Sequence, residues 1–186
     1  MGETPAGLPL AGAAVHVLTV SDGVAAGERD DRSGEVVATR LQGLGAHVTR
    51  GTVPDDVAAI ARAIEVAAAS HQVVVTTGGT GLTPRDVTPQ ATRTVLSYEI
   101  PGIGEAMRAA GRAITPLADL SRGLAGVVGR ALVINLPGSP KGALESLAAA
   151  EPVLAHAIET LAGPHDHDAR QRASGVAYDR PEEGAR

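Results

Sequence analysis

Hydrophobic positions along the chain alternate between short continuous runs and a wider, helical spacing. This pattern predicts β-strands over residues 13–21, 46–53, 72–77 and 131–136, and the first of them is expected to be buried. The segments between these runs place apolar residues three or four positions apart, which is typical of amphipathic helices. The helices predicted in this way cover residues 33–44, 57–68, 87–96, 102–113, 140–150 and 152–161.

Strands that alternate with helices indicate a mostly parallel sheet with right-handed crossovers and helices on both faces. A short glycine-rich stretch near residues 123–128 predicts a further strand, added to this sheet in antiparallel orientation. We expect one domain over residues 13–163, a flexible N-terminus at 1–12 and a polar, disordered tail at 164–186.

Three of the predicted helices are preceded by residues that favour capping. Asp55 or Asp56 is expected to cap the helix at 57–68, and Thr88 is expected to cap the helix that has Pro89 at its first position. Ser139 stands before a proline in the same way, at the start of the helix that follows the last strand.

Composition excludes several classes of function. The 186 residues carry a formal net charge of −5 and include no Phe, no Trp and only two Tyr, which argues against a nucleic-acid binder that uses a basic face or stacking platforms. The absence of cysteine excludes disulfides, thiolate catalysis and cysteine-type zinc sites. Without a long apolar run or a secretory signal, we expect a cytoplasmic protein that does not enter a membrane.

Polar loops follow four of the predicted strands, and a parallel sheet would bring these loops to one edge. They read Ser-Asp-Gly at 21–23, Pro-Asp-Asp at 54–56, "TTGGTGLTPRD" at 76–86 and "NLPGSPK" at 135–141. Ligands of such sheets bind beyond the carboxyl ends of the strands. Hydroxyls, bare backbone amides, carboxylates and a lysine together suit a phosphorylated ligand with a divalent cation.

Two of these loops are candidate anion sites. Gly78, Gly79 and Gly81 allow an anion to approach the backbone closely, although the loop is neither a Walker A motif nor a dinucleotide fingerprint. The helix start near Ser139 points free amides at its loop, and Lys141 adds a charge. The alternatives are a glycine-rich turn without a ligand and an ordinary capped connection.

Asp55 and Asp86 are the candidate metal ligands, because Mg²⁺ is usually held by one or two carboxylates together with phosphate oxygens. Either aspartate could instead be a simple cap or turn former. Arg85 could pair with phosphate or with Asp86, and Arg122 could approach an anion. Asp22, Asp30 and Asp31, in a longer polar loop, are weaker candidates for the metal site. His165 and His167 could also suggest a metal site, but a solvated tail is favoured for them.

Taken in order, the loop motifs resemble the molybdopterin adenylyltransferase family of molybdenum cofactor biosynthesis. The matching elements include "SDGVAAGERDDRSG", "PDD", "TTGGTGLTPRDVTP", "PGIGEAMR" and "SRGLAGVVGRALVINLPGSPKG", and they extend over residues 15–161. The resemblance implies a three-layer α/β/α sandwich that assembles as a homotrimer or a hexamer. It also implies transfer of AMP from ATP to molybdopterin in the presence of Mg²⁺, with release of pyrophosphate.

By this resemblance, Asp55 and Asp86 are the catalytic and metal-binding residues. The residues expected to bind the substrates are Ser21, Asp22, Thr76, Thr77, Gly78, Gly79, Thr80, Gly81, Arg85, Ser121, Arg122, Asn135, Pro137, Gly138, Ser139 and Lys141. Other enzymes of the same pathway are possible partners. The alternatives are a non-catalytic molybdopterin carrier or scaffold, a nucleotide pyrophosphatase and a molybdate-inserting protein, and the single-domain length counts against the last two.

Overall fold

A computed structural model describes residues 7–163 as one α/β domain. In chain order its elements are β1 (Ala14–Val20), α1 (Asp22–Ala25), α2 (Arg32–Gly43), β2 (His47–Val53), α3 (Val57–Ala68), β3 (Val73–Thr77), α4 (Thr88–Val95), β4 (Tyr98–Glu99), α5 (Pro101–Arg112), a 3₁₀ helix (Pro116–Leu120), β5 (Ala125–Val128), β6 (Ala131–Leu136) and α6 (Pro140–Ala162). The histidines at 165 and 167 and the polar tail lie outside the described residues.

The six strands form one sheet in the order β2-β1-β3-β6-β5-β4. Strands β2, β1, β3 and β6 are parallel, while β5 pairs antiparallel with β6 and β4 pairs antiparallel with β5. The predicted mostly parallel sheet and its antiparallel addition are therefore confirmed. β3 and β6 are buried along their whole length, as expected for central strands covered on both faces.

Alternate side chains of the strands face two separate cores. On one face, Val17 and Ile134 pack with α2, α5 and α6 through residues such as Leu147. On the other face, Leu18 and Val133 pack with α3 and α4. The helices thus cover both faces of the sheet, which confirms the three-layer α/β/α sandwich.

The last helix differs from the prediction. Two helices were expected around Pro152, whereas the structure has one continuous helix, α6, with Pro152 inside it. A proline removes one helical hydrogen bond and costs helix stability. Buried Leu147 and Leu154 flank Pro152 and bind both halves of the helix to the same core, so tertiary packing outweighs the local cost.

The expected cap at Thr88 is also wrong. Thr88 is the first residue of α4, and Val87 is the N-cap residue, without a side-chain hydrogen bond. The Thr88 hydroxyl instead donates to the carbonyl oxygen of Gly78 at 2.8 Å. By contrast, Asp56 caps α3 and Ser139 caps α6, as expected.

Part of the stretch 1–12 that was expected to be flexible is anchored to the domain. Leu10 is buried in the core of α2, α5 and α6, and its backbone amide donates to Leu44. The structure also contains α1, β4 and the 3₁₀ helix, which are too short to show a hydrophobic period. Within residues 7–163, no helix has the length and apolar character needed to cross a membrane.

Candidate active site

The carboxyl ends of the four parallel strands carry the loops that the sequence singled out. Val20, Val53, Thr77 and Leu136 end β1, β2, β3 and β6, and the parallel registers place these ends along one edge of the sheet. This edge is where ligands of open parallel sheets bind. The predicted grouping of the loops is confirmed.

The loop after β3 has a backbone that only glycine adopts easily. Gly78 has a φ of +100° and Gly79 a φ of +64°, both in the region that other residues disfavour. A Cβ atom on Gly78 would collide with the carbonyl oxygen of Val20, and one on Gly79 would collide with the Thr88 hydroxyl. Gly138 approaches from the loop after β6, where an added Cβ would lie 3.1 Å from the Cα of Gly78.

A buried network of hydroxyl and amide groups supports this loop from the side of α4. The Asn135 side-chain amide donates to the hydroxyls of Thr76 and Thr92, each at 3.0 Å. The Thr92 hydroxyl donates to the Thr88 carbonyl at 2.9 Å, and Thr88 in turn bonds to Gly78. The Asn135 side-chain oxygen is buried and has no hydrogen-bond partner among the described residues.

Asp86 lies directly against the glycine loop. A Cβ added to Gly81 would be 3.0 Å from an Asp86 carboxylate oxygen, and Thr83 donates to the same oxygen from its amide at 2.8 Å and its hydroxyl at 2.6 Å. Partial burial opposes ionisation, but the hydrogen bonds from Thr83 and Gly81 and the nearby charge of Arg122 outweigh it. The pKa of Asp86 is therefore lowered, and its carboxylate is ionised at neutral pH.

Arg122 fixes the loop that carries Asp86. Its guanidinium donates to the Gly81 carbonyl at 2.7 Å and also to the Asp86 carbonyl, and its backbone amide donates to the Thr80 carbonyl at 3.0 Å. The sequence suggested that Arg122 approaches an anion. The structure directs two of its donors to the protein backbone instead.

Asp55 is held by the loop that follows β1. The Asp22 amide donates to the Asp55 carboxylate at 3.0 Å, and the Asp55 amide donates to the Asp22 carboxylate at 2.8 Å. Partial burial, followed by the negative charge of Asp86, raises the pKa of Asp55. Arg85 pairs with Asp22 rather than with Asp86. The two predicted metal ligands are thus close enough for the charge of Asp86 to act on Asp55.

Two cavities flank the glycine loop and differ in character. The first, of about 590 Å³, is mostly apolar and lies against α5 and the 3₁₀ helix, where Met107, Leu117 and Leu120 line it. The second, of about 780 Å³, is mostly polar and lies between the start of α2 and the loop after β3, where Arg29 and Arg32 line it.

Three residues line both cavities: Gly79, Asp86 and Gly138. The apolar cavity suits a flat ring, and the polar cavity suits charged groups. Ligands in the two cavities would therefore meet beside the Asp86 carboxylate.

The predicted site residues divide into two groups. Those that line at least one of the two cavities are Ser21, Thr77, Gly78, Gly79, Thr80, Gly81, Asp86, Ser121, Asn135, Pro137 and Gly138. Those that line neither are Asp22, Asp55, Thr76, Arg85, Arg122, Ser139 and Lys141. Lys141 is exposed, and its Nζ lies 3.7 Å from Oε1 of Glu145, a residue that does line the first cavity.

Sequence reasoning missed the two walls of this site. The hydroxyls of Thr19, Ser33 and Thr77 form a buried group at the floor of the polar cavity, with Ser33 and Thr77 3.1 Å apart. Met107 and Leu117 in the apolar wall belong to elements far along the chain from the glycine loop. Their apolar character predicts only packing, and no local pattern places them at the carboxyl edge of the sheet.

Fold and site together define a three-layer α/β protein with a ligand site at the carboxyl edge of its parallel sheet. The family described as "Probable molybdopterin binding domain" matches residues 16–156. The chain belongs to this family, which confirms the resemblance drawn from its motifs.

Individual relatives agree with this assignment. The chain is 36% identical to a molybdopterin adenylyltransferase of Helicobacter pylori over 80% of this chain and 88% of that protein. It is 42% identical to a molybdenum cofactor biosynthesis bifunctional protein of Synechococcus elongatus over 85% of this chain, but it spans only 50% of that protein's length. The solved structure of the molybdopterin biosynthesis enzyme MoaB from Thermus thermophilus matches with a TM-score of 0.77 and 46% identity, over 82% of this chain and 98% of that one.

Proposed function

We propose that this protein acts in molybdenum cofactor biosynthesis by transferring AMP from ATP to the terminal phosphate of molybdopterin, with release of pyrophosphate. The observation that carries the proposal is the pair of cavities that share Gly79, Asp86 and Gly138. A transferase needs two ligands whose reacting groups meet at one point. The adenylyltransferase name of the Helicobacter pylori relative supports this choice of reaction.

The glycine loop and the polar cavity are the proposed phosphate sites. The backbone at Gly78 and Gly79 leaves an approach that no side chain blocks. Arg29, Arg32 and the group of hydroxyls around Thr77 supply donors that can hold phosphate oxygens. Two ligands held in this way would have the acceptor phosphate oxygen positioned to attack the α-phosphorus. The bond from that phosphorus to the pyrophosphate oxygen then breaks, without a covalent enzyme intermediate.

Asp55 and Asp86 are the residues that would hold Mg²⁺. Their donor set fits this ion, because Asp86 is ionised at neutral pH and its negative charge reaches the Asp55 carboxyl group. Within residues 7–163, no group of three or more His, Cys, Asp or Glu residues could hold a metal ion. Mg²⁺ commonly binds through one or two carboxylates and completes its shell with phosphate oxygens and water. When bound, it would neutralise phosphate charge during the transfer.

The test is to mix the purified protein with molybdopterin, ATP and Mg²⁺, and to measure pyrophosphate release and AMP transfer. Asp86→Asn should lower turnover by about 10²-fold or more, since it removes a charge at the reacting centre. The affinity for molybdopterin should change much less. Asp56→Asn is the matched control, because Asp56 is an exposed helix cap and asparagine also caps helices.

Two outcomes would oppose the proposal. An equal loss of turnover and pterin binding in Asp86→Asn would show that Asp86 has no specific role in the transfer. Molybdopterin binding by the wild type without any adenylylated product would indicate the non-catalytic carrier or scaffold. The assay must then contain an active adenylyltransferase as a positive control.

A homotrimer or hexamer in the cytoplasm remains the proposed assembly and location. Large apolar side chains are exposed at the end of α5 and along the 3₁₀ helix, with exposed fractions of 55% for Ile114 and 69% for Leu117. Exposed apolar groups of this size support a protein interface. Light scattering coupled to size-exclusion chromatography would measure the mass, and a monomer would contradict this assembly.

A further inference from the structure

A third cavity, of about 330 Å³, lies behind the glycine loop, between the end of α4, β4 and the first turns of α5. Its lining consists of Arg93, Glu99, Pro101, Gly104, Arg108, Arg122, Gly123 and Leu124. It adjoins the apolar cavity, with which it shares Gly104, Arg108 and Gly123. None of the glycine-loop residues 76–81 lines it, so it is distinct from the proposed phosphate loop.

The structure holds the three guanidinium groups of this cavity in place. Arg108 extends back along α5 over Gly104, where a Cβ atom would lie 3.3 Å from one of its terminal nitrogens. It donates to the Gly123 carbonyl at 2.9 Å. Arg122 donates to the backbone of the Asp86 loop, and Arg93 donates to Glu99 at 2.7 Å. Backbone carbonyls orient Arg108 and Arg122, and the carboxylates of Asp119 and Asp86, which do not line the cavity, lie close enough to interact with Arg108 and Arg122, respectively.

More positive than negative side chains line the cavity. Glu99 is its one lining carboxylate among the described residues, and it is already bound to Arg93. Among the lining residues, three arginines stand against one glutamate, in a chain whose formal net charge is −5. A bound anion would add negative charge on the side of these arginines that faces the cavity.

We propose that this cavity binds a small tetrahedral oxyanion such as inorganic phosphate. Guanidinium groups present planar pairs of donors that match the oxygens of such an anion. The three arginines come from α4, from α5 and from the segment before β5, and they line one cavity. Because Arg122 also donates to the Gly81 and Asp86 carbonyls, the anion is linked to the loop that carries Asp86.

The test is calorimetric titration of the full chain with inorganic phosphate, at constant ionic strength and without pterin or nucleotide. Arg108→Gln should weaken phosphate binding about tenfold or more, because it removes a charged donor. Arg93→Gln should weaken it as well, and this variant decides the matter if Arg108→Gln does not fold. Glu99→Gln should tighten binding, since it removes the competing carboxylate and releases Arg93.

Two controls separate this cavity from other cationic positions. Arg40→Gln alters an exposed arginine of α2, which pairs with Glu151 outside the cavity. Arg29→Gln alters the polar cavity of the proposed active site. Neither control should change the binding that responds to Arg108 and Glu99. Phosphate affinities equal to the wild type in both Arg93→Gln and Arg108→Gln, or no saturable binding by the wild type in the millimolar range, would overturn the proposal.

Discussion

Asp22 and Asp55 exchange hydrogen bonds, and each backbone amide donates to the carboxylate of the other residue, at 3.0 and 2.8 Å. This reciprocal pair joins the loop after β1 to the loop after β2. Arg85 extends the connection, because it pairs with Asp22 from the loop after β3. Asp22 therefore positions Asp55, although it lines neither of the two large cavities.

Asp22→Ala should release Asp55 from this arrangement and lower adenylyl transfer about tenfold or more, because small displacements of a catalytic group are costly. Asp22→Asn keeps an oxygen that can accept from the Asp55 amide, so it should retain most of the activity. The measurement is steady-state turnover of both variants, beside their thermal unfolding. Equal losses in the two variants would show that the charge of Asp22, rather than the hydrogen bond to Asp55, is what matters.

Gly79→Ala should destabilise the protein by about 1–3 kcal/mol, because alanine disfavours a positive φ and its Cβ would collide with the Thr88 hydroxyl. Activity should fall in addition, since Gly79 lines both cavities. Gly102→Ala in α5 is the matched control, as a Cβ there meets open space. Alanine favours a helix over glycine, so that variant should be neutral or slightly stabilising. Urea unfolding of both variants measures the difference.

The parts of the fold that could be predicted are the helices and strands whose buried face requires apolar residues at regular positions in the sequence. The buried run at β3 and the spacing of Ile60 and Ile64 in α3 arise from packing that repeats along the element. Pro152 shows the limit of such reasoning, since its local effect on the helix was clear but the packing of both halves of α6 was not.

The sequence predicted the backbone conformation of the candidate site, but it predicted only some of the contacts between its side chains. The sequence alone predicts a special backbone at Gly78 and Gly79, because two adjacent glycines at the end of a strand indicate that the chain adopts positive φ angles there. Which aspartate meets which partner depends on contacts between separate loops. On sequence grounds Arg85 could pair with phosphate or with Asp86. It pairs with Asp22 instead, a contact that depends on how the loops after β1 and β3 approach each other.

Asp86→Asn should also lower the pKa of Asp55. Burial is the main cause of the raised pKa of Asp55, and the negative charge of Asp86 is the second, which the substitution removes. Carbon-detected NMR titration of the Asp55 carboxyl group measures the shift directly. Asp56→Asn should leave the Asp55 titration largely unchanged, because the interaction assigned to Asp55 is with Asp86. A rise in the pKa of Asp55 in Asp86→Asn would contradict the interaction.

A pair of histidines, His16 and His71, is expected to make the free energy of unfolding depend on pH. The His16 and His71 ring centroids are 5.2 Å apart, and the Thr49 hydroxyl lies between them, at 2.7 Å from His16 and 2.8 Å from His71. The other ring nitrogen of His71 lies 2.9 Å from the Ala67 carbonyl, which can only accept. That nitrogen therefore carries the proton, Thr49 donates to His71, and His16 donates to Thr49, so these three contacts form while both rings are neutral.

Burial, followed by the charge of His71, lowers the pKa of His16 below its usual value of 6.5. Between the folded and unfolded pKa values, the unfolded chain binds more protons, so stability rises with pH across that window. This contribution is fully present above the unfolded pKa and is lost as the pH falls through the folded pKa of His16. His16→Gln should flatten that part of the curve of unfolding free energy against pH, measured by urea unfolding. His47→Gln, at an exposed position of β2, should keep the wild-type slope, and an unaltered slope in His16→Gln would rule out His16 as its source.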